Sequence, residues 1–256
     1  MMFFMLLAVD RSAKAWHLLC VGFFTATIGI FMLLAIQLIA MIVDIIGVPG
    51  GGCLFCCGAI FKLIAFSYNA ALDPNNGFIL SFIGFTLGVG FLEETIKILP
   101  VMVRFVRPSR YSWRNAFLWG LASGAGFGIS EGITYSADFY NGITGPGMYL
   151  VRFLSCVALH AVLTGSAAIT LHRLRKYLQR EQKIYEYIVP LLVFIFVPMV
   201  LHGLFDTFLK KEMNLGALIT AAICFAYLAV MIYWLRGRDD ERKLRKFLKR
   251  QAEERE

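Results

Sequence analysis

Long apolar runs alternate with short polar stretches along this chain, and most of the runs have the length of a membrane-crossing helix. A helix needs about 20 mostly apolar residues to cross the hydrocarbon core of a bilayer. Runs of this kind lie at about 16–43, 78–103, 115–136, 148–171, 187–209 and 215–235. The pattern predicts an all-α fold, a polytopic transmembrane helical bundle of about six spans.

A further apolar stretch at 53–68 differs from these six runs. It follows the segment Pro49-Gly50-Gly51-Gly52, carries Lys62 and is short for a span. These features predict a re-entrant or interfacial helix, which enters or lies along the membrane without crossing it.

Composition and charge agree with a membrane protein. Hydrophobic residues make up 59% of the chain and charged residues only 16%, whereas soluble globular proteins carry about 25% charged residues. Short loops rich in Lys and Arg stay in the cytoplasm. Here the cations cluster before the first span, between the second and third, between the fourth and fifth, and after the sixth, so both termini are expected in the cytoplasm. The net charge of +8 therefore follows from topology, and we expect the lipid bilayer, not nucleic acid, as a partner.

The second predicted span contains three charges, Glu93, Glu94 and Lys97, inside the apolar run. Each charge at the centre of a membrane helix costs on the order of 2.5–3.5 kcal/mol. Glu93 and Lys97 are four residues apart and share a helix face, so they can form a partial ion pair. Glu94 points about 100° away and needs another partner. An ion pair that only fixed helix packing would leave Glu94 unexplained, so a functional role is the stronger interpretation.

The third and fourth spans also carry polar residues at membrane depth. Glu131 lies on a stripe of the third span with Phe127 and Tyr135, at steps of four residues. His160 lies near the middle of the fourth span, and Arg152 lies nearer the outer end of that span. Isolated histidines in helices are mostly structural, but this one has polar counterparts on neighbouring spans.

The fifth span adds His202 and Asp206, which are four residues apart and face the same way. Counting residues at about 1.5 Å each brings the carboxylates and imidazoles of four spans within about 10–15 Å of depth. We expect one cavity, with Lys97 pointing deeper, toward the cytoplasm. The residues expected to line it are Glu93, Glu94, Glu131, His160, His202 and Asp206.

Carboxylates and imidazoles together suit hydrolysis of a peptide bond, which needs an activated water, a proton donor for the leaving amine and donors for the oxyanion. Glu93 or Glu94 is the candidate general base. His160 and His202 can donate hydrogen bonds or protons, or bind a metal as neutral imidazoles. The ligands available for a zinc ion with an open position are Glu131, His160, His202 and Asp206. The spacing lacks the two-histidine, one-turn motif of soluble zinc proteases, so the cofactor stays open between Zn²⁺ and none.

Four motifs, in order on consecutive helices, resemble those of the PrsW family of intramembrane proteases. This family is distantly related to the CAAX-processing and bacteriocin-processing (Abi) membrane endopeptidases. The motifs are FLEETIK at 91–97, FGISEGITY at 127–135, the segment from Arg152 through His160 to Ala161, and VPMVLHGLFD at 197–206. The resemblance covers roughly 78–235 and does not extend before about 75.

The resemblance implies an intramembrane endopeptidase of a bacterial plasma membrane, whose relatives cut membrane-anchored proteins, including anti-sigma factors. Glu93 and Glu94 match the paired glutamates, one of which activates water. His202 with Asp206 matches a His and an Asn thought to hold the oxyanion in the CAAX-processing relatives, and Glu131 matches a His there. An ionised Asp206 cannot donate a hydrogen bond to an oxyanion. Either it orients His202, or the site is richer in carboxylate because it holds a metal.

On this interpretation, residues 1–235 form one transmembrane protease domain and 236–256 a basic cytoplasmic tail. The motif-bearing core is 78–235, and the residues expected to support the site are Lys97, Phe127, Tyr135 and Arg152.

Two alternatives come from other classes of protein. Intramembrane Glu, His and Asp chains also serve as relays in proton- or cation-coupled transporters and channels. The hydropathy pattern shows no inverted repeat and no paired broken helices, which disfavours that alternative. An inactive scaffold is disfavoured because every matched polar position is filled. The sequence therefore favours a protease that cuts single-pass proteins near the outer membrane surface, with a Glu-activated water.

Overall fold

The structure is a computed structural model that describes residues 13–47, 52–106, 111–134, 146–178 and 188–253. Within these ranges the chain forms helices joined by turns and contains no strand, so the all-α prediction is confirmed. The helices are α1 (Ala15–Ile46), α2 (Gly52–Leu72), α3 (78–106), α4 (Trp113–Thr134), α5 (Pro146–Leu178), α6 (Ile188–Lys210) and α7 (Asn214–Glu253).

Within the described residues, five helical segments are long and apolar enough to cross a membrane. They are Ala15–Ile46, Phe78–Arg104, Phe153–Leu174, Leu191–Lys210 and Asn214–Glu241. The third predicted span is also a helix, α4, but its glycines and polar residues make it less apolar than these five. The predicted number of about six spans is therefore close to the number that the fold contains. The short apolar helix predicted at 53–68 is observed as α2, which is longer than predicted.

Two of the long helices contain a wider, π-helical segment. In α1 it covers Thr25–Gly29 and in α3 it covers Phe85–Gly90. Segments of this kind are rare and often lie at functional sites. The one in α3 ends directly before the helix Phe91–Val106, which carries Glu93, Glu94 and Lys97.

Arginine contacts identify one end of the bundle, which we name the basic end. Arg114 forms an ion pair with Asp239 of α7 at 3.1 Å, and Trp113 Nε1 donates to the same carboxylate at 2.8 Å. Arg173 of α5 lies over the Trp234 ring at 4.5 Å. At the opposite end, Lys211 Nζ donates to the backbone oxygen of Asn76, so the turns 73–77 and 211–213 lie together. We name that end the turn end.

Glycines allow α4 and α5 to pack backbone to backbone. A Cβ at Gly120 would lie 2.6 Å from the Thr164 backbone oxygen, and one at Gly128 would lie 2.8 Å from Val157 Cα. A Cβ at Gly124 would overlap the His160 backbone. In lipid there is no hydrophobic driving force for apolar helices to associate. Close van der Waals contact at small residues stabilises such pairs instead. The close approach brings Glu131 of α4 beside His160 of α5.

Replacing Gly124 with Ala tests this packing. The added methyl has no space against α5, and we expect a loss of about 1–3 kcal/mol in the free energy of unfolding, the usual cost of overpacking. Thermal unfolding in detergent micelles measures the loss. The control is Gly237→Ala on α7, where an added Cβ would meet no atom within 4 Å apart from the adjoining backbone of its own helix, and Ala is intrinsically favoured by about 1 kcal/mol. Equal behaviour of the two variants would contradict the packing argument.

Candidate active site

Lys97 is fully buried at the centre of the polar cluster. Its Nζ lies 2.7 Å from Glu94 Oε1 and 3.7 Å from Glu93 Oε2. The same ammonium lies 2.6 Å from Nδ1 of His160, on α5. The expectation that Lys97 points deeper, toward the cytoplasm, is therefore wrong. Helical side chains lean toward the N-terminus, so the long lysine side chain reaches back along α3 to the carboxylates of the preceding turn.

The contacts of His160 assign its tautomer. An ammonium only donates hydrogen bonds, so Lys97 Nζ donates to Nδ1 of the ring. The proton of the neutral ring then resides on Nε2, which contacts Glu131 Oε2. The Phe127 ring packs against the imidazole with a centroid separation of 5.5 Å, and the Lys97 ammonium lies 4.9 Å from the same phenyl centroid. Three predicted residues, Lys97, Glu131 and Phe127, thus fix the His160 imidazole.

His202 is buried between carboxylates of two helices. Its Nδ1 lies 3.0 Å from Glu94 Oε1 on α3. Its Nε2 lies 3.2 Å from Asp206 Oδ2, as the four-residue spacing predicts, and 3.6 Å from Glu93 Oε2. Gly203 permits this arrangement, because a Cβ there would lie 2.7 Å from Thr86 Cα and would push α6 away from α3. The His160 and His202 rings lie 5.0 Å apart, edge to face.

A cavity of about 450 Å³ reaches this cluster. Of the six residues expected to line one cavity, five do so: Glu93, Glu131, His160, His202 and Asp206. Glu94 does not line it and lies behind, fully buried between Lys97 and His202. The two adjacent glutamates therefore differ in access, since a turn of about 100° separates them on α3.

Two supporting residues fall outside what the structure describes. Tyr135 lies outside the described residues, and Arg152 belongs to α5 but its side chain is not among those described. One residue that the sequence reasoning missed is Cys156, whose Sγ lies 3.7 Å from Glu131 Oε2 and which lines the cavity. Its position one helical turn before His160 is the signal that points to it.

In the part of the chain that the structure describes, two groups of side chains could hold a metal ion. Ligand atoms of Glu93, His160 and His202 lie within 4.8 Å of one another, as do those of Glu131, Cys156 and His160. Of the two adjacent glutamates, Glu93 lines the cavity, and its Oε2 has no hydrogen-bond partner among the described residues. One carboxylate with two imidazoles is a frequent ligand set of catalytic zinc. The residues therefore fit a metal ion. The carboxylate ligand in this set is Glu93, whereas the sequence predicted Glu131 or Asp206.

Buried carboxylates and imidazoles therefore converge on a cavity within a bundle of membrane helices, an arrangement that can serve hydrolysis of a peptide bond. The family model described as "PrsW family intramembrane metalloprotease" matches residues 52–235, well over half of the chain. The chain therefore belongs to the PrsW family and is a membrane-embedded peptide hydrolase. No curated protein and no solved structure matches the chain.

Lys97→Met tests whether the central ammonium stabilises the cluster. Methionine keeps the length of the side chain but leaves Glu94 buried without its cation, so we expect a loss of about 3–5 kcal/mol in the free energy of unfolding. Thermal unfolding in detergent measures it. The control is Lys62→Met, which removes an exposed lysine from α2. Recovery of most of the loss in the double variant Lys97→Met/Glu94→Gln is expected, and no recovery would contradict charge compensation.

Proposed function

We propose that this protein hydrolyses a peptide bond in an extended segment of a single-pass, membrane-anchored protein, with a water activated by Glu93. The observation that carries the proposal is the state of Glu93: it is buried, it lines the cavity, and its Oε2 has no hydrogen-bond partner within the described part of the chain. A carboxylate in this state is free to accept a proton from water. Relatives of the family suggest anti-sigma factors among the substrates.

The other residues of the cluster take supporting and donating roles in this proposal. Glu94 holds Nδ1 of His202 and so directs Nε2 toward Glu93 and Asp206. Lys97 and Glu131 hold the two nitrogens of His160. Both nitrogens of His160 are thereby engaged, so donation to the oxyanion or to the leaving amine falls to Nε2 of His202. Asp206, 3.2 Å from His202 Nε2, acts by orienting that ring.

A metal would be held by Glu93, His160 and His202, and it would supply a Lewis acid that polarises the scissile carbonyl and activates water. With a metal in place, Glu93 would serve as a ligand and not as the general base, and His160 would have to give up the hydrogen bond from Lys97 to offer a lone pair. Glu94 would hold Nδ1 of His202 from behind in either case.

We further propose that the turn end of the bundle faces outward and that both termini lie in the cytoplasm of a bacterial cell. Support comes from the arginines of the basic end, because cationic loops stay cytoplasmic. Asp206, Leu209 and Lys210 line the cavity, and the turn 211–213 follows directly, so the cavity extends toward the turn end. Cleavage near the outer membrane surface follows from this orientation.

Cleavage by the purified protein in liposomes tests the chemistry. With a panel of single-pass substrates that includes anti-sigma factors, we expect Glu93→Gln to lower the cleavage rate by about 10²–10⁴-fold, the usual contribution of a general base. Glu241→Gln, at an exposed position of α7, is the control. A zinc chelator, added to the wild type, separates a metal-dependent reaction from one that needs carboxylate alone. Cleavage at the wild-type rate by Glu93→Gln overturns the proposal, and proton or cation flux without any cleavage favours the transporter alternative.

Thiol labelling in intact cells tests the orientation. In a background whose native cysteines are replaced by serine, we expect Met213→Cys at the turn end to react with a membrane-impermeant maleimide. Arg245→Cys, on the part of α7 beyond the basic end, is expected to react only after the membrane is permeabilised. Both positions are exposed. The opposite pattern would invert the topology and place the cavity on the cytoplasmic side.

A further inference from the structure

Helix α1 lies outside the matched family region, which begins at residue 52, yet it forms one wall of the cavity. Its cavity-lining residues run from Ile30 to Asp44 at helical spacing, so a single face of α1 is involved. The face is apolar except for Gln37 and Asp44. About 14 residues of helix correspond to about 21 Å, so this wall extends well beyond the polar cluster.

Contacts at two points along α1 hold this helix in place while one edge of the cavity stays open. Thr25 Oγ1 donates to the Ser123 backbone oxygen of α4 at 2.7 Å, in the π-helical segment of α1. Further along, Gln37 Nε2 donates to the Tyr68 hydroxyl of α2 at 2.8 Å. Leu34 and Met41 line the cavity but are 54% and 53% exposed, so they form its rim toward the lipid. The cavity therefore opens sideways along α1.

We propose that this face of α1 is the substrate-selecting wall of the protease, against which the transmembrane segment of a single-pass substrate rests as it unwinds toward the polar cluster. The inference rests on the proposed function, because it takes that protease's substrate as the occupant. The wall is continuous with the cluster, since Glu93 and His160 line the same cavity as Leu34 and Met41. A segment that enters from the membrane meets this rim before it reaches Glu93.

The chemistry of the wall suits an unwound apolar segment. Leu33, Leu34 and Met41 offer contacts to apolar side chains, and the unbranched methionine adapts to different shapes. An unwound backbone in a membrane must find hydrogen-bond partners within the protein. Gln37 uses its Nε2 on Tyr68, which leaves its Oε1 to accept from a substrate N–H, and the Asn69 side chain lines the cavity one position further on α2. The wall thus binds substrate backbone at Gln37 and selects side chains around it.

Helix α1 offers a matched pair of leucines for the test. Leu34 and Leu38 are one turn apart and equally exposed, at 54% and 53%, but only Leu34 lines the cavity. We expect Leu34→Trp to lower kcat/KM about tenfold or more and to change the order of preference among substrates that differ near the cut bond. Leu38→Trp is expected to stay within about twofold of the wild type. Equal effects of the two variants, with the wild type active, would overturn the inference and leave the proposed function intact.

Photocrosslinking tests whether substrate contacts this face of α1 and does not require cleavage. Benzoylphenylalanine at position 34 or 38 of the Glu93→Gln protein in liposomes is irradiated with a single-pass substrate present. An adduct with the substrate at position 34 and none at 38 supports the wall. Adducts only with lipid, or with a second copy of the chain, overturn it. A wild type that cuts no substrate defeats the proposed function, whereas the crosslink at position 34 still reports whether α1 receives a membrane segment.

Discussion

The ammonium of Lys97 is the interaction on which the candidate site depends. A cation in a membrane interior is tolerated only when acceptors surround it, and Lys97 has Glu94 Oε1 at 2.7 Å and His160 Nδ1 at 2.6 Å. Through His160 it connects α3 to α5, and through Glu94 and His202 it connects α3 to α6. The relative placement of three helices and the orientation of both imidazoles therefore follow from one buried charge.

Close helix packing is the second requirement. Side chains of different helices reach contacts of about 3 Å only where the helix backbones approach closely. Glycines of α4 let the backbone of α5 approach, and Gly203 lets α6 approach Thr86 of α3. In water the hydrophobic effect would hold such helices together, but in lipid they rely on van der Waals contact and on the hydrogen bonds that close contact permits. The apolar side chains exposed along α1, such as Phe31 and Leu38, face outward as expected for lipid contact.

Adjacent glutamates acquire different environments from this packing. Glu93 lines the cavity, while Glu94 is enclosed and holds Lys97 and His202. A pair of carboxylates whose surroundings differ in this way is the usual basis for dividing chemical and supporting roles. The family membership, the cavity and the two imidazoles are consistent with that division.

The sequence by itself determined the features that depend on local periodicity. Apolar runs specify membrane helices, because in lipid the backbone polar groups must form their hydrogen bonds within each helix. A spacing of four residues is likewise enough to predict the contact between His202 and Asp206. Only the tertiary structure decided which helix faces meet. Three features depend on how the helices pack. They are the contact between Lys97 and His160, which are 63 residues apart, the position of Cys156 beside Glu131, and the cavity wall formed by α1. Spacing within one helix carries no information about its neighbours, so these features became visible only when the helices were assembled.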